Sequence, residues 1–182
     1  VLQAVVILLR RLYVRIEQAY EPGRTVLVGH TLAFSTRVFE EVHGVPAVTV
    51  HLPPSAFRSD DLQPALMPGL DLSWLPVWQK RALWWALDRW LIDPHIAPEL
   101  NRWRGELGLP PVSRVFREWM HSPRAILGLF PSWFGPPQPD WPAALRLTGF
   151  PGYDEAEQHS LAPDLERFLG EGDQPIVFTP GS

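Results

Sequence analysis

The stretch TVLVGHTLAFSTRVFEEVHGVPAVTVH, residues 25–51, decides the fold. Residues 25–29 (TVLVG) form a short β-branched run of the kind found in buried strands. In residues 31–43, Phe34, Val38 and Val42 recur at four-residue spacing, which stacks them on one helical face. Gly44 supplies the stop, because glycine takes the left-handed conformation that ends helices at little cost. Residues 45–50 (VPAVTV) are apolar and extended again. Strand, helix and strand with short links make a βαβ unit, which implies a parallel sheet buried on both faces. The expectation is an α/β fold built on such a sheet.

Working outward, residues 2–20 read as a helix stopped by Pro22-Gly23. Residues 52–76 are proline-rich and aperiodic, and a loop of that length is usually functional or disordered. Residues 77–106 carry a helical pattern, with Trp74, Trp78 and Trp85 on one stripe and Leu83, Leu87 and Trp90 on the next. Pro94 and Pro98 are expected to break it in two. A short helix is expected at 112–121, strands at 125–130 and 145–149, and a Pro- and Trp-rich loop between them. Residues 153–160 (YDEAEQHS) are polar and acidic, which suits a linker. A helix at 162–170 presents Leu165, Phe168 and Leu169 on one face, and PIVFT at 175–179 reads as a strand.

Bulk properties narrow the function. The chain has 182 residues, 46% of them hydrophobic and 20% charged, enough to build a core. Its net charge of −4 lacks the basic footprint of a nucleic-acid binder. Cysteine is absent, which excludes disulfides, thiol nucleophiles and cysteine-ligated metals. VVILL, residues 5–9, is far shorter than the roughly 20 apolar residues of a membrane span. A cytoplasmic location is expected, with weak contact to a membrane surface through the Trp-rich helix and its neighbours Lys80, Arg81 and Arg89. The chain opens without Met and stops on Gly181-Ser182, so it is read as an internal piece of a longer protein.

The segment HTLAFSTRVFEEVHGVPAVTVHLPPSAFRS resembles the N-terminal domain of bacterial UDP-glycosyltransferase-superfamily enzymes, the sterol-, macrolide- and rhamnosyltransferase-like group. ELNRWRGELGLPPV, LFPSWFGPPQPDWP, LTGFP and LERFLGEGDQPIVFTPGS follow in the family's order, so the likeness covers nearly the whole chain. The resemblance implies a GT-B fold, two Rossmann-like domains facing across a cleft. Residues 1–152 would be the second half of the acceptor-binding N-terminal domain. Residues 153–182 would be the interdomain linker and the first helix and strand of the C-terminal domain, which binds the nucleotide sugar.

The implied activity is transfer of a hexosyl group from a nucleoside diphosphate sugar to a hydroxyl of a small, apolar acceptor, with inversion. Thr179, Gly181 and Ser182 follow the last strand. Glycine there lets backbone approach a phosphate and a hydroxyl can donate to it, so they are the candidate donor-binding residues. His30 and His51 close two strands of the sheet, where ligands of open parallel sheets bind, and are the candidates on the acceptor side of the cleft. Many plant members carry an Asp at the position of His30, so their His–Asp dyad does not carry over. The family's catalytic base falls upstream of Val1, and no catalytic residue is assigned within the chain. Asp60-Asp61 read as a solvated pair; no metal and no cofactor is expected, the nucleotide sugar being a substrate. Residues 1–182 alone are expected to be inactive. Two rival readings stand beside this one: a non-catalytic binding protein of the same fold, and a UDP-sugar 2-epimerase-like enzyme.

Overall fold

The structure is a computed structural model that describes residues 2–61, 72, 74–152, 161–171, 174, 176 and 178. The chain divides into two compact units, Val1–Phe150 and Pro151–Ser182.

The first unit carries α1 (Leu2–Ala19), β1 (Leu27–His30), α2 (Phe34–His43), β2 (Ala47–His51), α3 (Val77–Leu87), α4 (Asp93–Glu106), β3 (Ala125–Gly128) and β4 (Leu145–Leu147). The strands form one sheet in the order β1-β2-β3-β4, every pair parallel. Leu27 lies beside Ala47, Thr49 beside Ile126, and Gly128 beside Leu147. This is the Rossmann-like α/β arrangement expected from residues 25–51. Gly44 ends α2 at φ 67°, and its N–H donates to Glu40 O.

Helix α2 lies on the face that carries Leu27, Gly29, Ala47 and Thr49. The core there joins Phe34, Val38 and Phe39 of α2 to Leu9 and Tyr13 of α1 and to Leu100 and Trp103 of α4. Tyr13 meets Phe39 at 5.1 Å and Trp103 at 5.6 Å between ring centroids. Burying a side chain such as Phe39 contributes about 1.5–3 kcal/mol. A smaller cluster of Phe57, Ile126 and Phe130 packs under Trp141, Leu145 and Leu147.

Gly29 is where strand and helix come closest. A Cβ there would collide with Thr36 Oγ1 and stand 3.0 Å from Thr36 Cβ. Gly29→Ala is therefore expected to cost about 1–3 kcal/mol through overpacking. A urea melt unchanged from the parent chain would contradict this packing.

The structure departs from the sequence reading in four respects. The sheet is buried on one face only among the described residues: Val28 is exposed on the other, and Val48, Val50 and Leu127 are half-buried there. Helices α1 and α2 share the core on the buried side. The helical stretch 77–106 is not broken at Pro94 or Pro98. A π-helical turn at Asp88–Ile92 joins α3 to α4, with Asp93 N–H reaching back to Asp88 O. The wider turn shifts the carbonyl of Trp90 that the Pro94 ring would otherwise strike. The helix expected at 112–121 is a single π-helical turn, Val115–Trp119, entered through Arg114 at φ 50°. The strands near 125 and 145 are shorter than expected, although Leu129 N–H extends the β2–β3 ladder by donating to His51 O at 2.8 Å.

The second unit carries α5 (Pro163–Gly170), with Pro163 in its first turn and Leu165, Phe168 and Leu169 exposed. Of the strand expected at 175–179, Ile176 and Phe178 are described and exposed, and neither belongs to a strand. A strand needs a paired neighbour, and the described sheet ends at β4. Pro175, Val177 and Thr179 lie outside the described residues. No described helix is long and apolar enough to cross a membrane.

Candidate functional site

The loops that leave the C-terminal ends of β1 and β2 bound a cavity of about 530 Å³. Thr31 enters it from the first loop, and Pro53, Phe57 and Arg58 from the second. Trp84 and Leu87 of α3, Leu91 and Ile92 of the π turn, and Phe116 and Met120 close the far side. The π turn matters here, because it carries Leu91 and Ile92. The lining is mostly apolar, and its size suits a small organic ligand.

Polar groups reach this cavity in two places. Arg58 lies 4.9 Å over the Trp84 ring and ion-pairs with the buried carboxylate of Asp88. Trp84 Nε1 and the other oxygen of Asp88, Oδ2, are buried without a hydrogen-bond partner among the described residues. An unpaired buried polar atom costs about 1–3 kcal/mol, a cost that these two atoms carry behind the cavity wall.

The second place is Thr31. Its Oγ1 is hydrogen-bonded to His51 Nδ1 at 2.9 Å, and His51 Nε2 to His121 Nδ1 at 3.0 Å. His51 has no exposed surface, and Phe57 packs against both rings. Burial pushes His51 down to about 3, helped by the nearby His121 and His30. Burial likewise pushes His121 down to about 4, helped by the Arg37 guanidinium. Both imidazoles are neutral at physiological pH. His121 lines a second cavity of about 520 Å³, together with Arg58, Arg117, Glu118 and Asp140.

Asp60 ties these walls together. It is 3% exposed and accepts from Arg81 Nε at 3.0 Å and from Arg117 Nη2 at 3.1 Å. Its backbone N–H donates to Asp140 Oδ2 at 2.6 Å, and Lys80 Nζ donates to Asp61 O at 2.8 Å. The acidic pair read as solvated is thus a buried anchor through Asp60.

Of the residues singled out in the sequence, His51 lies at the heart of this region, but beneath the surface. His30 ends β1 and is exposed. Thr179, Gly181 and Ser182 lie outside the described residues. Trp74, Trp78 and Trp85 are exposed, whereas Trp84 is on the cavity wall. Thr31, His121, Arg58 and Asp88 were not signalled by any local motif; they meet only through the fold. No group of three metal-ligating side chains occurs among the described residues.

No protein-family model matches the chain. Over 86 residues it is 37% identical to the O-mycaminosyltylonolide 6-deoxyallosyltransferase of Streptomyces fradiae, a match covering 46% of this chain and 20% of that protein. Its fold matches a solved structure described as the glycotransferase of kitacinnamycin, with a TM-score of 0.54 over 88% of this chain and 38% of that one. At 15% identity that second likeness is one of fold. The chain therefore spans a minority of the length of both. In sequence over one stretch and in fold over most of its length, the chain is similar to glycosyltransferases, the GT-B likeness that its own segments carry.

Proposed function

We propose that the first unit is the acceptor-binding part of a glycosyltransferase that moves a hexosyl group from a nucleoside diphosphate sugar to a hydroxyl on a small, apolar acceptor, with inversion. The observation that carries this reading is the apolar cavity at the C-terminal ends of β1 and β2. Open parallel sheets bind their ligands at that edge. The name of the Streptomyces relative, a 6-deoxyallosyltransferase, supports a hexose-derived donor. On the family likeness, the donor diphosphate is assigned to Thr179, Gly181 and Ser182, and the base that deprotonates the acceptor to a residue outside residues 1–182. Neither a metal nor a cofactor enters this scheme.

The test is tryptophan fluorescence, since Trp84 lies on the wall. Titration with 2-naphthol, a small apolar hydroxyl compound, is expected to quench emission saturably. Leu91→Arg places a charge at an exposed position on the cavity rim and is expected to weaken binding at least about tenfold without unfolding the chain. Unaltered affinity in that variant contradicts the assignment of the cavity. Residues 1–182 alone are expected to transfer no sugar from UDP-glucose or dTDP-glucose to 2-naphthol; measurable turnover overturns the division of labour proposed.

A further inference from the structure

Helix α3 and the π turn that follows it are turned inside out. Lys80, Trp84 and Asp88 face the protein, where Lys80 donates to Asp61 O and the Asp88 carboxylate answers Arg58. Trp78, Trp85 and Trp90 face outward, and with Trp74 just before the helix they are 55% to 75% exposed. Trp85 and Trp90 meet edge-on at 5.5 Å between ring centroids, where α3 runs into the π turn. Leu91, also exposed, carries the patch to the cavity rim. Single exposed hydrophobes are normal on a protein surface; a contiguous group of indoles marks an interaction site.

Charge says what covers it. Between Trp74 and Ile92 the exposed charged side chains are Arg81 and Arg89. The one acid of that stretch is Asp88, which is buried and paired. Lys80, expected from the sequence to join the cations, is buried, so the two arginines supply the charge. Arg81 gives Nε to Asp60 and keeps its side chain largely exposed, and Arg89 makes no ion pair among the described residues. On a chain of net charge −4 this face is locally basic. Indoles settle at the headgroup level of a bilayer, with the ring towards the acyl chains and the N–H towards water, and arginine beside them meets phosphate. A second copy fits poorly, because a two-fold contact sets the same two arginines against each other.

We propose that the outward face of α3 and the π turn docks on an anionic lipid bilayer surface, with Trp78, Trp85 and Trp90 seated among the headgroups and Arg81 and Arg89 on lipid phosphates. The contact is peripheral, with the helix lying in the plane of the interface. It stands on the patch alone and does not depend on what the cavity binds. Because Leu91 belongs to both, docking sets the cavity rim beside the lipid.

The experiment is co-sedimentation of the chain with phosphatidylcholine vesicles, with and without an equal share of phosphatidylglycerol. The chain is expected to partition onto the anionic vesicles about tenfold more strongly, and to lose that preference as salt rises from about 0.1 M to about 0.5 M. Trp78→Gln together with Trp85→Gln should lower partitioning at least about tenfold at an unchanged urea midpoint, since both side chains are exposed. Arg89→Gln, which breaks no ion pair, should reduce the preference for anionic vesicles about fivefold. Trp133→Gln, which removes an exposed indole on the loop after β3, should change nothing. Anionic vesicles with brominated acyl chains read the same contact in the parent chain, whose tryptophan emission they should quench. Equal partitioning onto the two vesicles, no quenching by brominated lipid, or binding that survives loss of both indoles each overturns the proposal. A concentration-dependent dimer that the double variant abolishes, without vesicle binding, gives the patch to a second copy and overturns it too.

Discussion

Between pH 7 and pH 4 the chain is expected to lose folding stability on the order of 5 kcal/mol, from two histidines alone. His51 and His121 hold about 3 and about 4 in the folded chain, against an ordinary value of 6.5. Each folded value is depressed, so between it and 6.5 the unfolded chain binds more protons, and stability rises with pH. The contribution is complete above about pH 7 and drains away as pH falls towards 4 and then 3. Each unit of separation is about 1.4 kcal/mol. A loss of this size consumes much of the roughly 5–15 kcal/mol that a domain possesses. Part of each depression comes from the groups facing the pair, since His30 and Arg37 oppose further positive charge. Urea melts at pH 7, 6.2 and 5.5 follow the upper part of the slope, above the ordinary carboxylate values of about 3.9 and 4.3. His121→Asn keeps a neutral polar atom at the Nδ1 position and should flatten the slope by roughly half. A slope the same in parent and variant would remove the buried pair from the account.

The strand-helix-strand core was legible because each signal was local and agreed with its neighbours. Phe34, Val38 and Val42 marked one face of α2, Gly44 ended it, and β-branched runs flanked it. The π turns were not legible, because a pattern read at 3.6 residues per turn has no way to register a bond five residues long. The sheet's second face could not be read either: the apolar character of Val28 and Val48 says that they suit burial, not what covers them.

Helix α3 shows how a site hides. Its apolar stripe, Trp78 and Trp85 with Trp74 and Trp90, faces outward, with Trp85 at 55% exposure. The buried stripe is Lys80, Trp84 and Asp88, four residues apart, with Trp84 at 4%. Two of those three are charged, so hydrophobic periodicity points to the wrong face. They are buried because each charge has a distant partner: Asp61 O for Lys80, Arg58 for Asp88. His51 could be picked out as a strand-end residue, but its partner His121 lies seventy positions away in EWMHSP, which carries no motif. Thr31 stands beside His30 and carries no motif of its own. Histidine advertises chemistry in a sequence; a threonine becomes significant only when the fold brings it against a buried imidazole.

Asp60→Ala is expected to be the most damaging single change around the cavity, about 2–4 kcal/mol in stability. The carboxylate is buried and answers two guanidiniums, Arg81 on α3 and Arg117 on the second π turn. Arg117 is largely buried, so it loses its counter-charge without gaining full solvation, whereas Arg81 is exposed and turns to water. That difference keeps the cost below the value for a fully buried pair. The consequence reaches the cavity because Asp60 sits on the same loop as Phe57 and Arg58, and Arg117 sits between Phe116 and the chain that carries Met120. Loosening the node should let both walls drift, so 2-naphthol affinity falls together with the urea midpoint. Asp60→Asn separates the contributions: it keeps hydrogen-bond acceptance through one oxygen and discards the charge. It should recover part of the stability and most of the binding. If Asp60→Asn is as unstable as Asp60→Ala, charge alone holds the node; if both melt like the parent chain, the loop is held by Phe57 and its aromatic neighbours, and Asp60 is a bystander.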